Sequence, residues 1–449
     1  MRIVHLTSND ARTAGAKALA RLSTELRLAG HDSRVLVGAR DVADEARWSM
    51  PESMQSRALD KGASTLGEAI GLQGFIRPGF RLTLNGIQRL APDVVHIHWT
   101  YGRRGIPLEA LPRLTASFPT VWTFHDMWAF TGGCTNSRGC NGWLSDCQPC
   151  PLVGVDSMVT PGLGMVRRHT QIALWGRRLI YGRSRFVAVG PSRWMTDQAR
   201  RSPLLTGQEK AHIPNGVDLN LFAPRDRRKA RGELGMPADG SVILFVGKPD
   251  SILAYSDRIP ILVASLQALA ATDEIESDQV RLLLVGDGAR SLAARLPFAA
   301  HCMAGVSEDT KMGQCYAAAD VLLTTTQFDN YPGVVQESLA SGRPVVASRV
   351  GGVPELVQHG VTGWLCDPTR PVEFAAALAQ ALVHPGECAA MGRRSREFAV
   401  RQFDQTAVVS RMVDLYEETI AARRGGVPIL QARASPNDFV EDGADAMLG

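Results

Sequence analysis

No apolar run in this sequence approaches the roughly 18 residues that a membrane-spanning helix needs. Cysteine is scarce, with eight among 449 residues, which argues against a disulfide scaffold. The net charge of +4 is mild for this length, and neither a basic recognition helix nor an aromatic RNA-binding signature is found. We therefore expect a globular protein that does not bind nucleic acid.

The amino-terminal segment MRIVHLTSND becomes polar too early for a secretory signal. The composition, with 45% hydrophobic and 21% charged residues, is typical of a soluble protein. A chain of this length can form two or three domains. We expect a cytoplasmic protein, with at most a peripheral contact at the inner face of the cytoplasmic membrane.

The most informative stretch runs from Ala319 to Cys366 and alternates predicted strands, loops and helices. DVLLTTT and RPVVASR are short β-branched runs without alternation, as in buried parallel strands. Between them Asn330, Pro332 and Gly333 break the chain, and VVQESLASG predicts a helix that ends at Gly342. The loop thus lies at the carboxyl end of a parallel strand, where open α/β sheets bind ligands.

This loop and helix carry residue types suited to a phosphate and to hydroxyl groups beside it. The amide N–H groups at the start of the helix, near Gly333 and Val334, favour a phosphate. Asp329 in the loop and Glu337 one turn inside the helix suit neutral hydroxyls, those of a sugar and of a ribose respectively. The alternative is that both acids lie on a solvated helix face.

As spelled, this stretch resembles the family-4 retaining glycosyltransferases of the GT-B fold. That family has an acid, seven positions, Glu, then SLA-x-G-x-PVVA and GG-x-PE-x-V-x-x-G-x-TG. This chain has Asp329, Glu337, SLASGRPVVA and GGVPELVQHGVTGWL. It departs in one respect, because most members have Glu where this chain has Asp329.

The resemblance implies an α/β fold of two doubly wound, parallel-sheet, Rossmann-like domains that face a cleft. Residues 1–215 would form an acceptor-side domain that carries a Cys-rich loop at 134–150. Residues 216–402 would bind the nucleotide-sugar, and residues 403–423 would form a closing helix that crosses back to the first domain. Residues 424–449 are predicted to be a disordered tail.

The resemblance also implies cations at the donor diphosphate. The segment SVILFVGKPD places Lys248 where the family has its first base, and SDRIP offers Arg258 in place of the second. Two cations facing a leaving diphosphate stabilise its charge without a metal. A turn with Gly15 matches the family's Gly-Gly turn, although Ala14 replaces the first glycine. The implied donor-binding residues are Gly15, Gly247, Lys248, Asn330, Gly333, Val334 and Glu337.

Two histidine-bearing strands are predicted in the first half. In DVVHIHWT, His96 and His98 lie on the same side; no third metal ligand is identifiable nearby, which favours a role in lining the core or a pocket. PTVWTF is followed by His125 and Asp126, and a histidine there faces the ligand crevice. The resemblance places His125 beside the transferred sugar; a structural histidine is the alternative. Asp126 would orient the imidazole or a neighbouring loop.

Half of the cysteines cluster directly after His125. Cys134, Cys140, Cys147 and Cys150 follow the spacing C-x5-C-x6-C-x2-C, and the closing C-x2-C is a zinc-knuckle spacing. Four thiolates suit a structural Zn²⁺, with reduced thiols or disulfides as alternatives. A similar Cys-rich loop occurs in glycosyltransferases that resemble those of colanic-acid and other exopolysaccharide pathways.

Residues 166–185 alternate apolar and basic side chains. An amphipathic basic stretch can lie on an anionic membrane surface, and it can equally be a solvated helix face.

Taken together, the motifs indicate a hexosyl-type glycosyltransferase that uses a nucleotide-sugar donor and retains the anomeric configuration. The acceptor would be an oligosaccharide or a lipid-linked saccharide, in the synthesis of exopolysaccharide or another cell-surface polysaccharide. The implied catalytic residues are His125, Lys248, Arg258, Asp329 and Glu337, with no cofactor required for catalysis. The rivals are a sugar-nucleotide epimerase or phosphorylase on the same fold, and a non-catalytic scaffold protein on a degenerate GT-B fold.

Overall fold

A computed structural model describes most of the chain. The residues described are 1–8, 14–37, 47–49, 62–63, 67, 75, 80–100, 106–154, 169–247, 258–306 and 308–425. None of the helices in these ranges is both long and apolar enough to cross a membrane.

The first half of the chain forms a seven-stranded parallel sheet. Its strands are β1 Arg2–Thr7, β2 Asp32–Val37, β3 Arg47–Ser49, β4 Val94–Ile97, β5 Thr120–Thr123, β6 Val187–Gly190 and β7 Glu209–His212. They lie in the order β3-β2-β1-β4-β5-β6-β7. The order reverses between β1 and β4, so a ligand crevice opens at the carboxyl ends of these two strands. The helices beside the sheet are α1 Ala14–Leu28, α2 Phe80–Leu90, α3 Leu111–Ser117, α4 His169–Tyr181 and α5 Arg193–Arg201.

The second half repeats this arrangement with six parallel strands. They are β8 Ser241–Val246, β9 Val280–Val285, β10 Ala299–Met303, β11 Val321–Thr324, β12 Val345–Ser348 and β13 Gly363–Cys366. Their order is β10-β9-β8-β11-β12-β13, which reverses between β8 and β11. The helices are α6 Arg227–Glu233, α7 Arg258–Ala270, α8 Ala289–Ala293, α9 Asp309–Ala318, α10 Gly333–Ala340, α11 Val353–Leu356, α12 Pro371–Val383, α13 Pro385–Phe403 and α14 Gln405–Gly425.

Each sheet is covered on both faces, which is why its strands read as continuous apolar runs. In β4, Val95 and Ile97 pack into one core cluster, while Val94 packs into another on the opposite face. In β11, Leu322 and Leu323 divide in the same way between two clusters. The predicted fold class, two doubly wound parallel-sheet units, is confirmed.

The chain crosses between the two sheets twice, and the crossings lie side by side. Val217 on the first crossing and Asp404 on the second form an isolated parallel β-bridge. The Val217 N–H donates to the carbonyl of Phe403 at 2.8 Å. After the second crossing, α14 returns to the first sheet, where Met412 and Tyr416 pack in one cluster with strand residues of that sheet.

Several element boundaries differ from the sequence-based expectations. The predicted turn at Ala14-Gly15-Ala16 is wrong, because α1 begins at Ala14; small residues without β-branching are compatible with a first helical turn. The last helix spans Gln405–Gly425 rather than 403–423. Apart from its first residues, which end α14, the predicted tail lies outside the described residues.

Candidate active site

The carboxyl ends of the two sheets are joined through the loop that carries Asp329. Asn330 accepts a hydrogen bond from Ser192 Oγ at 2.5 Å. Its Nδ2 donates to the carbonyls of Phe124 and His125, each at 3.2 Å. These bonds place the acidic loop of one sheet against the histidine of the other. They also occupy the side chain of Asn330, which was predicted to bind the donor.

The GGVPE motif supports this loop. A Cβ added at Gly351, where φ is +53°, would lie 1.9 Å from the Asp329 carbonyl oxygen, and one at Gly352 would lie 2.0 Å from that of Asn330. Only glycine permits so close an approach. Glu355 accepts hydrogen bonds from the backbone N–H groups of Arg193 and Trp194, both at 2.7 Å, and so satisfies the amino end of α5 in the other half.

Asp329 faces the cation predicted to stand in for the family's second base. Arg258 begins α7, and its Nη2 lies 3.6 Å from Asp329 Oδ2. Burial raises the pKa of Asp329, and the neighbouring Arg258 charge opposes that rise. The pair puts a carboxylate and a guanidinium together at the carboxyl end of β11. Lys248, the first predicted base, lies outside the described residues.

Glu337 is buried and bridges the two halves of the chain, so the interpretation as a solvated helix-face acid is wrong for it. Its carboxylate accepts hydrogen bonds from Arg21 Nη2 at 2.8 Å and from the Tyr316 hydroxyl at 2.9 Å. Arg21 and Lys17, both on α1, also pair with Asp309 at 2.9 and 2.7 Å. Sequence reasoning missed this network. The i, i+4 spacing of Lys17 and Arg21 was its one local signal.

Predicted phosphate-facing amides lie at the start of α10. The helix begins at Gly333, and the N–H groups of Val335 and Gln336 both bond the Pro332 carbonyl. The N–H groups of Gly333 and Val334 therefore precede the first bonds of the helix, where an anion is favoured. Of the other predicted donor residues, Gly247 directly follows β8 and Gly15 lies in the first turn of α1.

Three imidazoles are linked in a row on the side of the cleft that the first sheet forms. His5 Nδ1 lies 3.2 Å from His98 Nε2, and His98 Nδ1 lies 3.1 Å from His125 Nε2. The ring of His125 stacks on Trp99 at 3.8 Å. Since a neutral imidazole donates from one nitrogen and accepts at the other, the tautomers of the three rings are coupled. His98 therefore orients His125, while Asp126 accepts from the Trp128 N–H at 2.9 Å and orients the neighbouring loop.

His5 also adds a third imidazole to His96 and His98, which the sequence analysis did not identify. Ligand atoms of His5, His96 and His98 lie within 4.8 Å of one another. The signal was present in the sheet register, because β1 pairs with β4 and sets His5 beside His96. Both nitrogens of His96 already have partners, Tyr416 at 2.6 Å and Thr123 at 2.7 Å. The hydrogen bonds thus favour pocket lining over metal binding.

Burial keeps these rings neutral. It lowers the pKa of His5 and of His125 to about 3, and it holds the pKa of His96 and of His98 well below the ordinary value. Protonation therefore favours the unfolded chain, in which each ring has its ordinary pKa near 6.5. The sign follows from linkage: these histidines leave stability unchanged above about pH 6.5 and lower it as the pH falls toward about 3.

We expect the melting temperature to fall steeply below pH 6.5. Each buried ring contributes up to about 1.4 kcal/mol of lost stability per pH unit. Replacing His5 by Gln should make the slope shallower, whereas replacing the exposed His384 by Gln should leave it unchanged. Thermal melts of the three proteins between pH 5 and 8 measure this. Equal slopes for the wild type and His5→Gln would contradict the assignment.

The Cys-rich loop follows His125, on the side of the cleft that the first sheet forms. None of the eight cysteines forms a disulfide. Of the three alternatives for the clustered cysteines, reduced thiols and metal ligands remain. The loop reaches the other half of the chain, because the Arg138 guanidinium lies 5.1 Å from the ring centre of Phe328, next to Asp329.

The basic stretch predicted at 166–185 forms α4 from His169, and its first three residues lie outside the described residues. Trp175 and Leu179 are exposed on this helix. The membrane contact stays a prediction.

Two family models match consecutive parts of the chain. Residues 15–221 match a model described as Glycosyltransferase Family 4, and residues 240–384 match one described as Glycosyl transferases group 1. Curated relatives include the D-inositol 3-phosphate glycosyltransferases of Thermobispora bispora, 32% identical over 49% of this chain, and of Acidothermus cellulolyticus, 33% identical over 56%. The matches cover 53% and 58% of those proteins, so the chain spans little more than half of their length.

Solved structures resemble the whole chain. Sucrose-phosphate synthase from Thermosynechococcus elongatus has a TM-score of 0.65 at 18% identity and covers 94% of this chain and 100% of its own. Anabaena HepE in complex with UDP and glucose has 0.61 at 18%, with 92% and 98% covered. WaaG, a glycosyltransferase of lipopolysaccharide biosynthesis, has 0.62 at 16%, with 93% and 99% covered. These likenesses show the GT-B fold, and the two family models show what the two halves of the chain are similar to.

Proposed function

We propose that this chain transfers a sugar from a nucleotide-diphosphate sugar to an acceptor hydroxyl, with retention of the anomeric configuration. One observation carries the proposal. The hydrogen bonds of Asn330 hold the carbonyl of His125 against the loop that carries Asp329, with Arg258 beside it, at the carboxyl ends of both sheets. This arrangement sets an imidazole on one wall opposite a carboxylate, a cation and helix amides on the other.

Each residue then has a defined role toward the donor. Arg258 and Lys248 would neutralise the diphosphate together with the amides of Gly333 and Val334. Glu337 would accept from the ribose hydroxyls: a carboxylate offers about four lone-pair sites, and Arg21 and Tyr316 contact it through one hydrogen bond each. Asp329 and His125 would contact the hydroxyls of the transferred sugar.

Retention is supported by how the nearby acids are used. Asp126, the acid next to His125, is bonded to the loop backbone, and Asp329 is paired with Arg258. A double displacement needs a carboxylate nucleophile close to the anomeric carbon. The arrangement instead suits attack on the same face from which the diphosphate leaves, with a phosphate oxygen taking the acceptor proton. The cations offset the charge that develops, so this route requires no metal.

The relatives support the donor and acceptor classes that we propose. HepE has been solved with UDP and with UDP-glucose, so we propose a uridine nucleotide donor. For the acceptor we propose an oligosaccharide or a lipid-linked saccharide of a cell-surface polysaccharide, handled at the cytoplasmic face of the membrane. An inositol phosphate is a second candidate, named by the curated relatives.

A thermal-shift screen of the full chain against UDP, GDP and ADP and their common sugar conjugates tests the donor assignment. A ligand at about 100 times its dissociation constant should stabilise by roughly 2.7 kcal/mol. We expect uridine nucleotides alone to shift the melting temperature, and the Glu337→Ala protein to respond less. No shift with any nucleotide would favour the scaffold alternative.

Product analysis tests the reaction. Incubation of the selected donor with D-inositol 3-phosphate or with lipid-linked saccharides should give a glycoside, whose anomeric configuration is read by NMR. An inverted product would contradict retention. Conversion of the donor without any acceptor would favour an epimerase.

A further inference from the structure

Four sulfur atoms line one small cavity in the loop that follows His125. The loop brings Cys134, Cys140, Cys147 and Cys150 around a volume of about 10 Å³, which is closed by Gly132, Trp143, Leu152 and Thr170. A volume of this order accommodates a single atom-sized occupant. The cavity is lined by sulfur and apolar atoms, so it offers poor hydrogen bonding to a water molecule.

A backbone amide points at one of these sulfurs. The Gly142 N–H donates to Cys140 Sγ at 3.3 Å, two residues after the cysteine. Such N–H donors stabilise a thiolate more than a thiol, because bonds to a charged acceptor are the stronger ones.

A buried cation lies beside the same sulfurs. Arg177 is 1% exposed, and its guanidinium lies 4.4 Å from the ring centre of Trp128. Among the described residues it forms no ion pair with a carboxylate, and its Nε has no hydrogen-bond partner. Among the described residues, its neighbours that can carry negative charge include the phenol of Tyr181 and the sulfurs of Cys147 and Cys134. Arg177 Nη1 donates to the Ala173 carbonyl at 3.3 Å, and an anion beside the guanidinium would lower the cost of burying its charge.

We propose that the four cysteines bind one structural Zn²⁺ as thiolates and that Arg177 offsets the charge of the resulting centre. On binding, four thiols release four protons to solvent and form four Zn–S bonds, which leaves a net charge of −2. The centre supplies an anion beside Arg177, and Arg177 lowers the electrostatic penalty of burying the centre. Neutral thiols supply no such anion.

Binding would draw the loop inward. Among the described residues, it is the histidine cluster and not these four sulfurs whose ligand atoms lie mutually within 4.8 Å. Zn–S bonds of about 2.3 Å in a tetrahedron bring sulfurs to roughly 3.8 Å from one another. Because Arg138 of the same loop contacts Phe328 beside Asp329, the metal would also fix one edge of the cleft.

The test measures metal in the tag-free full chain by mass spectrometry. We expect one zinc per chain, and a Co²⁺-exchanged protein with an intense thiolate-to-cobalt charge-transfer band. The Cys140→Ser/Cys147→Ser variant should lose both signals, whereas Cys388→Ser, in a core cluster of the second sheet, should keep both. Arg177→Met should lose zinc to a competing chelator at a lower chelator concentration than the wild type.

A chelator experiment on the wild type covers the case in which the cysteine variant does not fold. Chelation should lower the melting temperature, and Zn²⁺ but not Mg²⁺ should restore it. A wild-type protein without zinc that is not stabilised by added Zn²⁺ would overturn the proposal. Iron in place of zinc, or full zinc retention by the double cysteine variant, would overturn it as well.

Discussion

The Arg258→Ala enzyme should lose about 100- to 1,000-fold in kcat, as expected for removal of one preorganised group that stabilises transition-state charge. Arg258 begins α7 beside the Asp329 loop, and in the proposed function it supplies a cation where the departing diphosphate gathers charge. Because that charge is larger in the transition state than in the bound donor, KM should change less than kcat. Steady-state kinetics with the donor identified by the nucleotide screen measure the effect.

Two matched variants separate charge from structure. Arg258→Lys keeps a cation and should recover part of the rate, although lysine cannot reproduce a bidentate contact. Asp329→Asn keeps Arg258 but removes its carboxylate partner, and it should impair recognition of the sugar more than stabilisation of the diphosphate. If Arg258→Ala turned over at a rate near that of the wild type, Arg258 would not be the second cation of the site.

Glu337→Ala should lower kcat/KM by about 100-fold or more, since hydrogen bonds to a charged group are worth roughly 1.5–3 kcal/mol each and a ribose offers two hydroxyls. The fold should survive, because Arg21 keeps its contact with Asp309 and the helix gains a good helix former. Donor titration by calorimetry and steady-state kinetics measure the loss, and circular dichroism checks the fold.

Tyr316→Phe is the control for Glu337. It removes one hydrogen bond to the same carboxylate, at 2.9 Å, without removing the carboxylate itself. We expect a small change in stability and nearly normal donor affinity. Equal losses in Tyr316→Phe and Glu337→Ala would mean that the network, rather than a ribose contact, explains the effect. A nearly normal rate in Glu337→Ala would remove it from the site.

Much of the fold was predictable because its signals are local. Continuous buried runs such as VVHI and VLLT identify parallel strands, and their alternation with helical segments fixes the doubly wound class. The acidic pair was predictable for the same reason, since Asp329 and Glu337 lie within one strand-loop-helix unit. The predicted start of α1 was wrong because Ala14-Gly15-Ala16 suits a turn or a first helical turn equally well.

The contacts that complete the site were not predictable, because they join residues far apart in sequence. Ser192 meets Asn330 across 138 positions, and Arg21 meets Glu337 across 316. No local pattern announces such pairs. Asn330 illustrates the consequence: its place in the motif indicated a donor ligand, whereas its side chain joins the two sheets. Arg177 is a similar case, since its place in a basic stretch indicated exposure and it is buried.

The paired crossings at Val217 and Asp404 have a mechanical consequence. A single covalent link would let one half of the molecule bend and twist about the other. Two adjacent crossings that are joined by a β-bridge restrict this twisting. Arg21–Glu337 and Ser192–Asn330 join the same two halves, so we expect these pairs to re-form in the same register whenever the halves separate and close. We therefore expect the two crossings to help align the residues that the two halves contribute to the site.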